Sequence, residues 1–322
     1  MIVFRATGTW VVVLSLWVAA LSHTATAKTK TTAKAKARAA GGAGAACADS
    51  DEHALWIAPQ QPVAGAPVKL LAVGDEEATG DLAVVQPDGQ RRALTVARHP
   101  GLPGSLSAEL PAARPGAYRV VWARGDKTVA CRAFEVVARP PKPAAGAGAV
   151  VWPATHTWDR RYENFFAAWI DLLFDAPAAA SLDFRPLHQA LRDGARNYLA
   201  NYLGLREDDP KNKAAIPATP DCADLPYFLR AYFAWKLQLP FGFRDCDRGT
   251  DARPPRCSNF ETNEQPPSGK DHLAAVRSFL RLVTNHVQSG SARTALGDDE
   301  TDYYPVALDR KALRPGTIYA DP

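Results

Sequence analysis

Hydrophobic positions along the chain follow two rhythms, and the change between them divides it. From Cys47 to Ala138 they come in short runs rich in Val and Leu: APVKLLAV (66–73), DLAVVQ (81–86), RALTVA (92–97), GAYRVVWA (116–123) and CRAFEVVA (131–138). Between them stand PDGQ, PGLPG and ARGD, whose Pro and Gly supply the backbone angles that turns require. Short runs with turns at this spacing predict a small β-sandwich over 47–138. Trp56 and Trp122 are expected in its core. His53 and His99, with no second ligand at metal spacing, are expected on its surface.

Past residue 150 the apolar positions recur at steps of three and four, the period of helices. RRYENFFAAWIDLLF (160–174) aligns Tyr162, Phe165, Phe166, Trp169 and Leu173, and PLHQALRDGARNYLANYLGL (186–205) aligns Leu187, Leu191, Ala195, Tyr198, Leu199 and Tyr202. DHLAAVRSFLRLVTNHV (271–287) does the same with Leu273, Val276, Leu280, Val283 and Val287. Such stripes are core faces. His188, His272 and His286 lie on or beside these helices and are expected as surface or hydrogen-bonded side chains.

The rest of the chain connects or precedes these regions. Met1 to Ala27 has one basic residue, an apolar run from Trp10 to Leu21 and the small-residue pattern Ala25-Thr26-Ala27, which predicts a secretory signal peptide. An uncleaved anchor is the alternative, but the run is short for a span. Residues 28–46 are low in complexity, basic and without acids, and predict a disordered linker. Their five basic residues and Arg5 more than account for the net charge of +4, so the charge marks no nucleic-acid-binding face. RPPKPAAGAGA opens a second linker, over 139–150, ahead of a domain at 151–322.

Export into an oxidising space makes the five cysteines informative. Cys47 and Cys131 open and close the strand-rich region, so their strands can lie side by side. Cys246 and Cys257 flank the polar loop DRGTDARPPR, where a local staple gains most. This sorting leaves Cys222 over. Four cysteines allow three pairings, and Cys222 bonded to Cys246 or Cys257 is an alternative that would make it structural.

Cys222 stands ahead of an apolar helical run. Asp221 is expected as N-cap, with Asp224 also placed against the positive helix end. Leu225, Phe228, Leu229, Tyr232, Trp235 and Leu239 are expected to form the buried face. Cys222 then falls in the first turn, where unpaired N–H groups stabilise the thiolate that attacks in nucleophilic catalysis. The flanking carboxylates oppose this, and Pro226 removes an early helical hydrogen bond.

Two segments resemble known families. ARPGAYRVVWA (113–123) resembles the closing strands of immunoglobulin-like modules in exported bacterial proteins. Asp221-Cys222-Ala223-Asp224-Leu225 resembles the active-site segment of NlpC-type peptidases, papain-like cysteine enzymes that cut peptide bonds in bacterial peptidoglycan. In that family the pattern is Asp-Cys-Ser-Gly, so Asp224 replaces a small residue. LRPGTIYADP (313–322) is similar to the family's Pro-Gly-Asp strand opening, with Thr317 where Asp is usual, and supplies the one good strand, GTIYA, found after Cys222.

The resemblance covers Pro220 to Pro322. It implies that Cys222 attacks a carbonyl, that its backbone N–H helps hold the oxyanion, and that a histidine and an orienting polar residue open later strands. No such histidine follows before Pro322. The expectation is therefore an α+β chain: an immunoglobulin-like sandwich, then the helical portion of a papain-like domain, truncated with its sheet largely missing. His272 or His286 serving as base from a helix is the alternative.

The function expected on this footing is an exported thiol hydrolase of peptide or amide bonds in peptidoglycan stem peptides, secreted or periplasmic in a bacterial envelope. Its substrate would be a cell-wall peptide. No metal, organic cofactor or nucleic acid is implied, and the membrane enters only through the signal peptide. The competing class is a non-catalytic envelope protein whose sandwich and helical domain bind a cell-wall or protein partner.

Overall fold

The structure of the chain, a computed structural model, describes residues 47–140, 146, 148–175, 187–253, 255–288 and 302–319. The expected signal peptide (1–27) and basic linker (28–46), parts of the second linker and the end of LRPGTIYADP lie outside the described residues.

Eight strands fill the first region: β1 His53–Ala58, β2 Val68–Gly74, β3 Asp81–Val85, β4 Arg91–Ala93, β5 Ala97–His99, β6 Gly104–Leu110, β7 Gly116–Arg124 and β8 Lys127–Val136. They form two antiparallel four-stranded sheets, ordered β1-β2-β6-β5 and β4-β3-β7-β8. Four of the five expected runs match β2, β3, β7 and β8, while 92–97 spans the end of β4 and the start of β5. Strands β1 and β6 were not anticipated. HALWIA is apolar on consecutive positions and so shows no alternation. GSLSAEL owes its place to close approach: a Cβ on Gly104 would lie 2.3 Å from the Ala78 nitrogen.

The facing sides of the two sheets share one core, with Leu55, Leu70, Val84, Leu106, Val120 and Trp122 within it. Tyr118, near the start of β7, turns its hydroxyl back onto Arg114. It accepts from that residue's N–H at 2.9 Å and donates to its carbonyl at 3.0 Å. Side chains alternate across a strand, so Trp56, Leu71 and Val73 point the other way. There they join a second core made with the helices. The sheet bearing β1 and β2 is thus buried on both faces.

The second region holds α1 Arg160–Phe174, α2 Leu187–Arg192, α3 Leu225–Leu237, the antiparallel hairpin of β9 Gly242–Cys246 and β10 Cys257–Thr262, and α4 His272–His286. Asp159 and Asp271 cap α1 and α4, accepting from Tyr162 N–H at 3.1 Å and Ala274 N–H at 2.9 Å. Both helices match their apolar periods. Helix α3 is buried almost all round, Lys236 included, because α1, α4 and the turns before it enclose it.

Two expectations fail here. The helix over 186–205 stops at Arg192, and a series of turns follows. Asp193 and Asn197 accept from Ala195 N–H and Leu199 N–H, and Asn201 takes a left-handed φ of 52°, so side chains compete for the hydrogen bonds a helix needs. Tyr198 and Leu199 are buried nonetheless. The expected strand GTIYA is irregular at 316–319, and the sheet after Cys222 is instead the β9–β10 hairpin, hidden within what reads as loop.

The described residues from Cys47 onward fall in one compact unit. Trp56 stacks on Phe165 with ring centres 4.3 Å apart, and Tyr198 Oη donates to Trp56 O at 2.6 Å and Lys69 O at 3.1 Å. Among the described residues no helix is long and apolar enough to cross a membrane.

Candidate functional site

The cysteines pair as their positions suggested. Cys47 bonds Cys131, tying the segment ahead of β1 to β8, and Cys246 bonds Cys257 directly opposite it in the hairpin. Cys222 is free and exposed.

Helix α3 begins later than expected. Pro226 occupies its first turn and Asp224 its N-cap position, with no capping hydrogen bond from that side chain. Asp221 instead accepts from Ala223 N–H at 2.8 Å and Asp224 N–H at 3.3 Å, closing a separate turn that carries Cys222. Those N–H groups hold Asp221 below the usual carboxylate range. The Cys222 Sγ has no hydrogen-bond partner among the described residues.

Asp224 is the unsatisfied member of this turn. It is buried, its Oδ1 is unsatisfied, and burial with the neighbouring Asp221 charge pushes its carboxyl up to about 6. The folded chain therefore favours protonated Asp224. That stabilisation is complete below the ordinary carboxylate range and is lost as pH rises through about 6. Asp224→Asn, which has no proton to lose, is expected to raise stability at neutral pH by on the order of 1 kcal/mol and to change nothing in acid. Thermal melts at the two pH values check this; equal effects at both would refute it.

His188, His272 and His286 are all engaged, His188 through Nδ1 at 3.2 Å from Ala218 O. His272 Nε2 accepts from Trp235 Nε1 at 3.1 Å, and its ring is driven toward the neutral form by burial. His286, the last residue of α4, holds its Nδ1 2.9 Å from Asp245 Oδ2 on β9. Arg248, just past β9, acts electrostatically on Asp221 and donates to Gln288, two residues beyond His286.

The apolar cavity lies elsewhere. About 750 Å³ in volume, it is walled by α1, the start of α3, the residues leading into β9 and the segment 302–318. Trp158, Phe166, Tyr227, Phe241, Tyr303 and Tyr304 give it aromatic walls. Arg230 stacks 3.3 Å over the Trp158 ring centre and forks onto Glu163, which neutralises both charges. Asp302 Oδ2 accepts from Arg244 N–H at 2.9 Å and Tyr227 Oη at 3.1 Å. Its Oδ1 has no partner among the described residues. Burial raises the Asp302 carboxyl above its ordinary range. Cys222 does not line this cavity.

The periodicity of 160–174 marked the α1 wall as core, but nothing local marked Asp302 or the segment after it as part of a site. Among the described residues no cluster of three His, Cys, Asp or Glu side chains could hold a metal ion. No protein-family model and no curated protein matches the chain.

Proposed function

We propose that the chain is an exported envelope protein that binds rather than cuts. In this reading an immunoglobulin-like module carries a helical domain that takes up an apolar group of a cell-wall or envelope partner. The observation that carries it is the aromatic-walled cavity in which Asp302 is fixed through one oxygen, the arrangement expected of a binding pocket. Asp302 Oδ1 suits a hydroxyl or amine at the end of an apolar body. The immunoglobulin-like reading is supported by the strand orders β1-β2-β6-β5 and β4-β3-β7-β8 and by the Tyr118 corner.

The test is a titration with decanol, and with decylamine, below their micelle-forming concentrations. Both are expected to bind the full chain, and Ala312→Trp, which fills the cavity, is expected to weaken them by roughly tenfold or more. Unchanged affinity in that variant would end the binding reading.

Thiol hydrolysis of peptidoglycan peptides is the second reading, favoured by one observation. Asp245 orients His286 through Nδ1, as a carboxylate orients the base of a nucleophile–histidine pair. It requires His286 Nε2 to reach Cys222 and take its proton. Cys222→Ala would then abolish release of murein peptides with little loss of stability. Under the binding reading the wild-type chain releases none, and Cys222→Ala binds decanol as wild type does.

A further inference from the structure

On the side of α4 facing α2, four cations meet without an acid. A cleft of about 560 Å³ is lined by Arg192, the last residue of α2, by Lys213 with Asn212, and by Arg277, Ser278 and Arg281 of α4. No acidic side chain lines it, and among the described residues none of the four cations makes an ion pair. Arg277 Nη1 donates to the Lys213 carbonyl at 3.4 Å, which draws the two basic residues together. The Arg192 Nε is buried with no acceptor.

This arrangement is costly without a ligand. Arg277 and Arg281 are four apart on one helix, a spacing at which like charges repel. Two further cations converge on them, and a buried guanidinium N–H without an acceptor carries a desolvation cost. Arginines elsewhere that pack close to an acid pair with it, as Arg132 does with Asp49, Arg161 with Asp159, Arg206 with Asp209 and Arg230 with Glu163. What sets the cleft apart is that four unpaired cations converge in one concave place.

We infer that this cleft binds a phosphate-bearing ligand carrying at least two negative charges on a terminal phosphate or pyrophosphate. Guanidinium forks match the oxygens of such a group in pairs, and its concentrated charge offsets four cations where a single carboxylate would not. Asn212 and Ser278 can donate further hydrogen bonds to the same oxygens. The volume leaves room for a small organic portion beside the phosphate. The site is separate from the apolar cavity and independent of the reading given to it.

Calorimetric titration of the full chain with inorganic pyrophosphate at fixed ionic strength tests this, beside citrate as a carboxylate of comparable charge and glycerol phosphate as a monoester. Saturable binding of pyrophosphate and glycerol phosphate at one site per chain is expected, roughly tenfold or more tighter than citrate. Arg277→Gln with Arg281→Gln should weaken both by at least as much. That double variant should fold with an unchanged or higher melting temperature, because it removes a repulsion, and pyrophosphate should raise the melting temperature of wild type alone. Equal affinity for citrate, unchanged affinity in the double variant, or neither heat nor thermal shift with pyrophosphate would each overturn the inference.

Discussion

Replacing Lys236 by alanine is expected to cost about 3–5 kcal/mol of stability, the range seen when one partner of a buried ion pair is removed. Lys236 is wholly buried on α3, with Nζ 2.6 Å from both Glu207 Oε1 and Asp208 Oδ2, and these acids are no more than 4% exposed. The carboxylates also organise the turns before α3. Glu207 accepts from Leu203 N–H and Leu205 N–H, and Asp208 accepts from Asn201 N–H. Without the ammonium, two buried carboxylates would face each other uncompensated.

The pH dependence follows from Glu207. Burial alone would raise its carboxyl, but the Lys236 charge and hydrogen bond outweigh this and hold it below the ordinary range. Its contribution is therefore present above the ordinary carboxylate range and is lost as pH falls through the lowered value. Urea unfolding should show a wide gap between wild type and Lys236→Ala at neutral pH that narrows in acid. Adding Glu207→Gln and Asp208→Asn to Lys236→Met should recover most of the loss, since a neutral cluster no longer buries charge. A single variant as stable as wild type would contradict the buried cluster.

Removing the Cys47–Cys131 bond is expected to have the next largest effect. The two cysteines are 84 residues apart, against 11 for Cys246 and Cys257. Loop-closure entropy grows with the logarithm of that separation, which gives about 4.5 kcal/mol for the long loop and about 2.7 kcal/mol for the short one. Cys47→Ser with Cys131→Ser should therefore melt below Cys246→Ser with Cys257→Ser. The reverse order would mean that the hairpin, rather than the long loop, limits the denatured chain. Both pairs should resist alkylation until reduced, leaving Cys222 as the one thiol that reacts at once.

The candidate sites show how far local pattern reaches. Cys222 stood out because four other cysteines had better partners, and the structure leaves it free. Its helical setting was misjudged by one turn, because Pro226 and the Asp221 side chain favour a separate turn ahead of α3. The apolar cavity draws on residues more than 150 positions apart, from Trp158 to Ile318. The cationic cleft joins Arg192, Lys213 and Arg281, each unremarkable where it stands in the chain.

What the sequence determined by itself is what short-range physics decides. The period of 160–174 and 271–287, each opened by an aspartate that caps the first turn, suffices for α1 and α4. Val-rich runs broken by Pro and Gly suffice for β2, β3, β7 and β8. Tertiary structure alone decided where those surfaces go. It laid α1 and Tyr198 on the outer face of β1 and β2, enclosed α3 on all sides, and put Lys236 against Glu207 and Asp208. The reason is that a helix or strand is selected by neighbours a few residues away, whereas burial and charge pairing are selected by whatever the folded chain brings within a few ångströms.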